Sequence, residues 1–142
     1  MAVSIKSSRE IELMRESCRL LAIVHEEMVN DEVVHGIPAN DHIIQEGDIV
    51  SLDCGLIYKG YHSDAARTYP VGKISKEAQQ LIDVTKQSFF EGIKMAKAGN
   101  HLYDISNAID AYVSQFGYGI VRDLVGHGIG TSLHEDPQVP NF

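Results

Sequence analysis

The amino-acid sequence predicts an α+β fold, and three observations carry that expectation. Apolar residues recur at spacings of three and four in three long stretches, the pattern of amphipathic helices. Between the first and second stretches lies S-L-D-C-G-L-I-Y-K-G-Y-H-S-D-A-A-R-T, Ser51 to Thr68, two strand-like arms about a Lys59-Gly60 turn. No repeat, low-complexity run or linker divides the chain, so residues 1–142 are expected to form a single domain.

Each element follows in order. Ser7 and Glu10 fit a capping box, and Ile11, Met14, Cys18, Leu21, His25 and Met28 form the apolar stripe of the first helix. His25 lies on that stripe and reads as a core histidine. Asn30-Asp31 breaks the pattern; Glu32 to His35 reads as a short strand ended by Gly36 and Pro38. Residues 39–47 form a polar loop, and the hairpin follows, ending near Pro70-Val71-Gly72. Ser75 caps a long helix with Ala78, Leu81, Ile82, Thr85, Phe89, Ile93 and Ala96 on one side, stopped by Gly99-Asn100. The last helix carries Leu102, Ile105, Ala108, Ile109, Tyr112 and Phe116 and stops at Gly117. Tyr118 to Gly130 is glycine-rich and short-stranded, and the final twelve residues are polar.

Composition narrows the function classes. A formal net charge of −8 argues against nucleic acid or an anionic membrane surface as the main partner. No apolar run is long enough to span a bilayer. Two cysteines far apart, Cys18 and Cys54, and no secretory leader point to a reduced, cytoplasmic protein.

The hairpin carries an aspartate on each arm, although strand interiors select against Asp. With Lys59-Gly60 as a two-residue turn, Tyr58 faces Tyr61, Gly55 faces Asp64 and Asp53 faces Ala66. Asp53, Gly55 and Ile57 then point the same way as His62, Asp64 and Ala66, and the two aspartates are diagonal neighbours. A buried pair of this kind needs a shared proton, an Arg or Lys partner, or a cation between the carboxylates. Gly55 leaves room opposite Asp64 for a cation. The competing readings are an acid pair and a surface hairpin paired with Arg67. Cys54 points to the other face and reads as core.

Several histidines stand in glycine or proline contexts: His35 in V-V-H-G-I-P, His127 in G-H-G-I-G and His134 in L-H-E-D-P. Two carboxylates with an imidazole suit Mn, Fe, Co or Zn. V-N-D-E-V-V-H-G-I-P, the two hairpin aspartates, G-H-G-I-G and H-E-D-P-Q-V, in this order, resemble the type I methionine aminopeptidases. The resemblance implies a pita-bread fold, an antiparallel sheet with helices packed on one face, and two divalent metals per site. It implies removal of the initiator methionine, with N-terminal methionyl peptides of nascent proteins as the partners. By the same resemblance Asp53 matches a chelating aspartate, Asp64 the aspartate that bridges the metals, and His127 the histidine ligand. His35 matches a histidine that contacts the scissile amide, and His134 one that donates to the substrate carbonyl as it becomes tetrahedral. His62 is not a family ligand and reads as supporting or packed.

The chain departs from the family twice. The block that normally separates Met28 from Val29 is missing, and two glutamate ligands of the family's second half have no counterpart. The expected domain is therefore a pita-bread domain lacking part of its second half, holding at most one metal well and self-associating through an incompletely covered sheet. An inactive pita-bread fragment that binds peptides is the alternative, and a metal-free acid–base hydrolase using Asp53 and Asp64 is a third reading.

Overall fold

Ser7 and Glu10 close on one another at the start of helix α1, Ser8–Glu27. This is seen in the computed structural model, which describes residues 3–27 and 43–142, the side chains of residues 24–27 excepted. The Glu10 carboxylate accepts from the Ser7 amide and the Ser7 hydroxyl, each at 2.7 Å, so the expected capping box forms. Hydrogen bonding from the Ser7 side chain, then from its amide, holds the Glu10 carboxyl below its ordinary pKa. The expected strand at 32–35, with His35, lies outside the described residues, as does the side chain of His25.

Strands β1, Ile49–Tyr58, and β2, Tyr61–Pro70, pair antiparallel. Lys59 at φ 49° and Gly60 at φ 82° both take the left-handed conformation of a tight two-residue turn. The register is the expected one: Tyr58 opposite Tyr61, Gly55 opposite Asp64, Asp53 opposite Ala66. One face of the ribbon is the core. Val50 is 0% and Leu52 4% exposed there, beneath α1.

The helix row that meets this face matches the expected stripe at Leu21 and departs from it elsewhere. Ser17 and Leu21 are buried, whereas Ile11 and Cys18 are exposed. A small residue permits a close crossing. The Ser17 hydroxyl lies 2.9 Å from Ser63 Oγ, with the Leu56 and Tyr61 carbonyls at 3.4 and 3.3 Å. The buried hydroxyls are thereby satisfied by each other and by the strands.

Helices α2, Lys76–Lys94, and α3, Leu102–Ser114, pack on each other. Ser75 Oγ accepts from the Ala78 amide at 3.0 Å, as its capping role requires. At the other end, Gly99 turns at φ 95° and Asn100 Nδ2 donates to the Met95 carbonyl at 2.9 Å. The contact face again runs along small residues: Val84, Ser88 and Gly92 of α2 and Ser106 and Val113 of α3 are buried. A Cβ at Gly92 would stand 2.8 Å from Ile109 Cγ1, so the helices touch there. The stripe expected to pack, by contrast, is open: Leu81, Phe89 and Ile93 are 40%, 59% and 51% exposed.

The polar tail contains a strand that its composition hides. β4, Glu135–Val139, pairs antiparallel with β3, Gly126–Gly128, with an irregularity between His127 and Gly128. Pro137 falls at that irregularity, between Glu135 opposite Gly128 and Gln138 opposite His127, where the β3–β4 ladder asks no donor of it. Ser106 Oγ donates to the Pro140 carbonyl at 2.5 Å and joins α3 to the end of β4. Among the described residues the fold is thus α+β, with two antiparallel two-stranded ribbons.

Candidate metal centre

Two ribbons meet at the site. β2 contributes Asp64 from its outer face, and β3 contributes His127. The His62 amide donates to the Gly130 carbonyl at 2.8 Å, tying the edge of β2 to the loop that follows β3. The glycines around His127 have a packing reason. A Cβ at Gly128 would stand 2.5 Å from the Asp136 carbonyl oxygen and 2.8 Å from that of Glu135. Only glycine lets β4 approach so closely.

His127 Nδ1 lies 2.9 Å from the Gly128 carbonyl oxygen. A carbonyl can only accept, so Nδ1 carries the proton, and in the neutral ring Nε2 is left with its lone pair. That nitrogen faces Asp64 Oδ2 at 3.7 Å, beyond hydrogen-bond distance. A carboxylate oxygen and an imidazole lone pair this close repel unless a proton or a cation lies between them. The two side chains are 30% and 24% exposed, so the pair is reachable from outside. His134 stands alongside, its ring centroid 4.2 Å from that of His127 at a 50° tilt.

Asp53 occupies the diagonal position on the same ribbon face. Among the described residues, however, no group of three or more His, Cys, Asp or Glu is gathered closely enough to hold a metal. Asp64 and His127 fit a divalent ion as two donors of the right kind; Asp53 is not drawn into the cluster. The expectation of buried carboxylates also needs correction. Asp53 and Asp64 are both exposed, on the ribbon face opposite the one that α1 covers. Cys54 sits half-buried on the inner face, and His35 lies outside the described residues.

Sequence reading missed Lys6 and Glu135. Their side chains form an ion pair and are only 15% and 16% exposed. The other Glu135 oxygen accepts from the Ser132 amide at 3.1 Å and the Thr131 hydroxyl at 3.4 Å. The Lys6 ammonium, then the Ser132 amide, hold the Glu135 carboxyl below its ordinary pKa. Adjacency to His134 was the one signal for Glu135; Lys6 had none.

Comparisons with known proteins give the family. The model of metallopeptidase family M24 matches residues 28–142. A methionine aminopeptidase of Clostridium acetobutylicum is 59% identical over 114 residues, 80% of this chain and 46% of its own length. Methionine aminopeptidase 1 of Bacillus subtilis is 37% identical over an alignment of 180 positions, covering 96% of this chain and 72% of that protein. Because that alignment is longer than the chain, the relative carries internal residues that this chain lacks. The crystal structure of methionine aminopeptidase from Thermotoga maritima superposes with a TM-score of 0.91 at 34% identity, covering 99% of this chain and 74% of that one. The chain spans about half the length of the first of these relatives.

Proposed function

The chain belongs to metallopeptidase family M24, and from that premise we propose that it is a metal-dependent aminopeptidase that removes the N-terminal methionine from newly made polypeptides. The observation that carries this reading is the Nε2 lone pair of His127 facing the Asp64 carboxylate at 3.7 Å. Asp64 and His127 would hold a divalent ion, with Asp53, on the same ribbon face but outside that pair, as the proposed third donor; Mn, Fe, Co and Zn suit carboxylate and imidazole donors. When bound, such an ion supplies an activated water and polarises the scissile carbonyl.

The chain's own residues do the rest. The Gly128 carbonyl fixes the His127 tautomer and ring direction. His134 would donate to the carbonyl oxygen of the first peptide bond as negative charge develops there. His35 would contact the scissile amide. The open face of the ribbon leaves a path for an extended peptide to reach these groups.

The same reading takes residues 1–142 as belonging to one pita-bread-type domain, in the cytoplasm. Free Cys18 and Cys54 are compatible with a reduced compartment. No helix among the described residues is long and apolar enough to cross a membrane. Exposed Leu81, Phe89, Ile93 and Ile57 support self-association.

A second reading is a catalytically inactive peptide-binding module, which the absence of a three-ligand group among the described residues favours. Calorimetric titration with Mn²⁺ or Co²⁺, followed by assay of a methionyl tripeptide, separates the two. Metal binding abolished by Asp64→Ala is expected, with slow turnover for this chain. Failure of the unaltered chain to bind either ion would remove the metallopeptidase reading, and binding without turnover would favour the module.

A further inference from the structure

His134, its ring centroid 4.2 Å from that of His127, is carried by the loop between β3 and β4, whose own sequence from Ile129 to His134 contains no proline. The loop is instead fastened from outside. On one side the His62 amide donates to the Gly130 carbonyl at 2.8 Å. Within the loop, Glu135 Oε1 gathers the Ser132 amide and the Thr131 hydroxyl. On the far side Glu135 Oε2 takes the ammonium of Lys6, a residue 129 positions earlier that lies just before α1. Gly130 is buried beneath this pair; a Cβ there would stand 2.6 Å from Glu135 Oε1 and would also strike the Lys6 ammonium. A glycine is therefore what admits the lysine. The pair is far from a solvated surface bridge, since each side chain is about six-sevenths covered.

We propose that Lys6 and Glu135 are positioning residues that clamp the Gly130–Glu135 loop and so hold His134 against His127 beside Asp64. The segment before α1 is thereby part of the site's architecture as well as a lead-in to the helix. Glu135 enters β4 opposite Gly128, so the clamp bears on the strand that carries His127 as well as on the loop that carries His134. Displacement of a donor by about 1 Å can cost roughly 10²-fold in rate, which is the scale on which such a clamp matters. The inference rests on the reading of His127 as a ligand and His134 as a substrate-facing donor.

The test uses the metal-free 142-residue chain and reads the nuclear Overhauser cross-peak between the carbon-bound ring protons of His127 and His134. The cross-peak should be present in the unaltered chain and in Lys6→Arg, and lost in Lys6→Met and in Glu135→Gln. Contacts between Ser17 and Ser63 serve as the control for the packing of α1 on the ribbon. A wild-type cross-peak in both Lys6→Met and Glu135→Gln overturns the proposal. Should Lys6→Met also disturb the Ser17–Ser63 contact, Glu135→Gln decides, because it leaves the α1 end intact and keeps an acceptor for the Ser132 amide. Loss of the cross-peak there supports the clamp, and retention overturns it. A parallel Mn²⁺ titration of the unaltered chain keeps the two readings apart. Absence of binding would remove the metal assignment, while the ring-to-ring comparison would still decide the clamp.

Discussion

The two faces of the β1–β2 ribbon share one backbone and one register, yet they do opposite work. The inner face buries Val50, Leu52 and Ser63 under α1 and is where this half of the chain gains its stability. The outer face presents Asp53, Gly55, Ile57 and Asp64, with Ile57 64% exposed. Side chains alternate strictly along a strand, so a single ten-residue arm can serve packing and chemistry without compromise between them. Stability and metal affinity should therefore respond to different residues a single position apart.

On the stability scale the largest effect belongs to the inner face. Leu52→Ala should cost about 2–5 kcal/mol, the usual range for a buried leucine replaced by alanine, read from the urea midpoint. Retained full stability would mean that α1 does not seal this face. Gly128→Ala comes next, where a Cβ would meet the Asp136 and Glu135 carbonyls. Overpacking of this kind costs about 1–3 kcal/mol, and the shift of β3 should weaken Mn²⁺ binding as well.

Asp64→Ala reverses the pattern. Its stability change should stay within about 0.5 kcal/mol, as for other exposed positions, while retained divalent metal is lost. Asp53→Ala should weaken metal binding without abolishing it. A large drop in the urea midpoint for Asp64→Ala would show that the outer face is a packing face after all. In a form that turns over substrate, His134→Ala should keep its metal and lose roughly 10²–10³ in rate, whereas His127→Ala should lose both.

The smallest expected effect is one of pH. Glu10 has its folded pKa below the ordinary value of 4.5 because the Ser7 hydroxyl and amide bond its carboxylate. A carboxyl shifted this way contributes stability that is fully present above about 4.5 and is lost as pH falls through the lower folded value. Glu10→Gln should lose that contribution near neutrality, flatten the stability curve in the acid window, and match the unaltered chain below it.

The hairpin was legible in the sequence to the residue. Its turn, its register and the shared face of Asp53 and Asp64 follow from a two-residue loop and a period of two, both local properties. The Ser7–Glu10 and Ser75 caps were legible for the same reason. Helix faces were legible only in part: Leu21, Ile105 and Ile109 pack as their stripes predict. Apolar spacing marks a stripe, but the closest crossings went to Ser17, Ser88, Gly92 and Ser106, where small side chains let backbones approach, and Phe89 was left outside.

The site divides along the same line. The sequence by itself determined the donor chemistry, since residue types in G-H-G-I-G and on the hairpin limit what can be held there. It could not determine that His127 stops 3.7 Å from Asp64, that Asp53 stays apart, or that Lys6 reaches Glu135. Those contacts join residues 63 and 129 positions apart, with distances set by how ribbons and helices pack. Local bonding preferences are written in neighbouring residues, whereas the tertiary structure alone decides which distant side chains share a boundary.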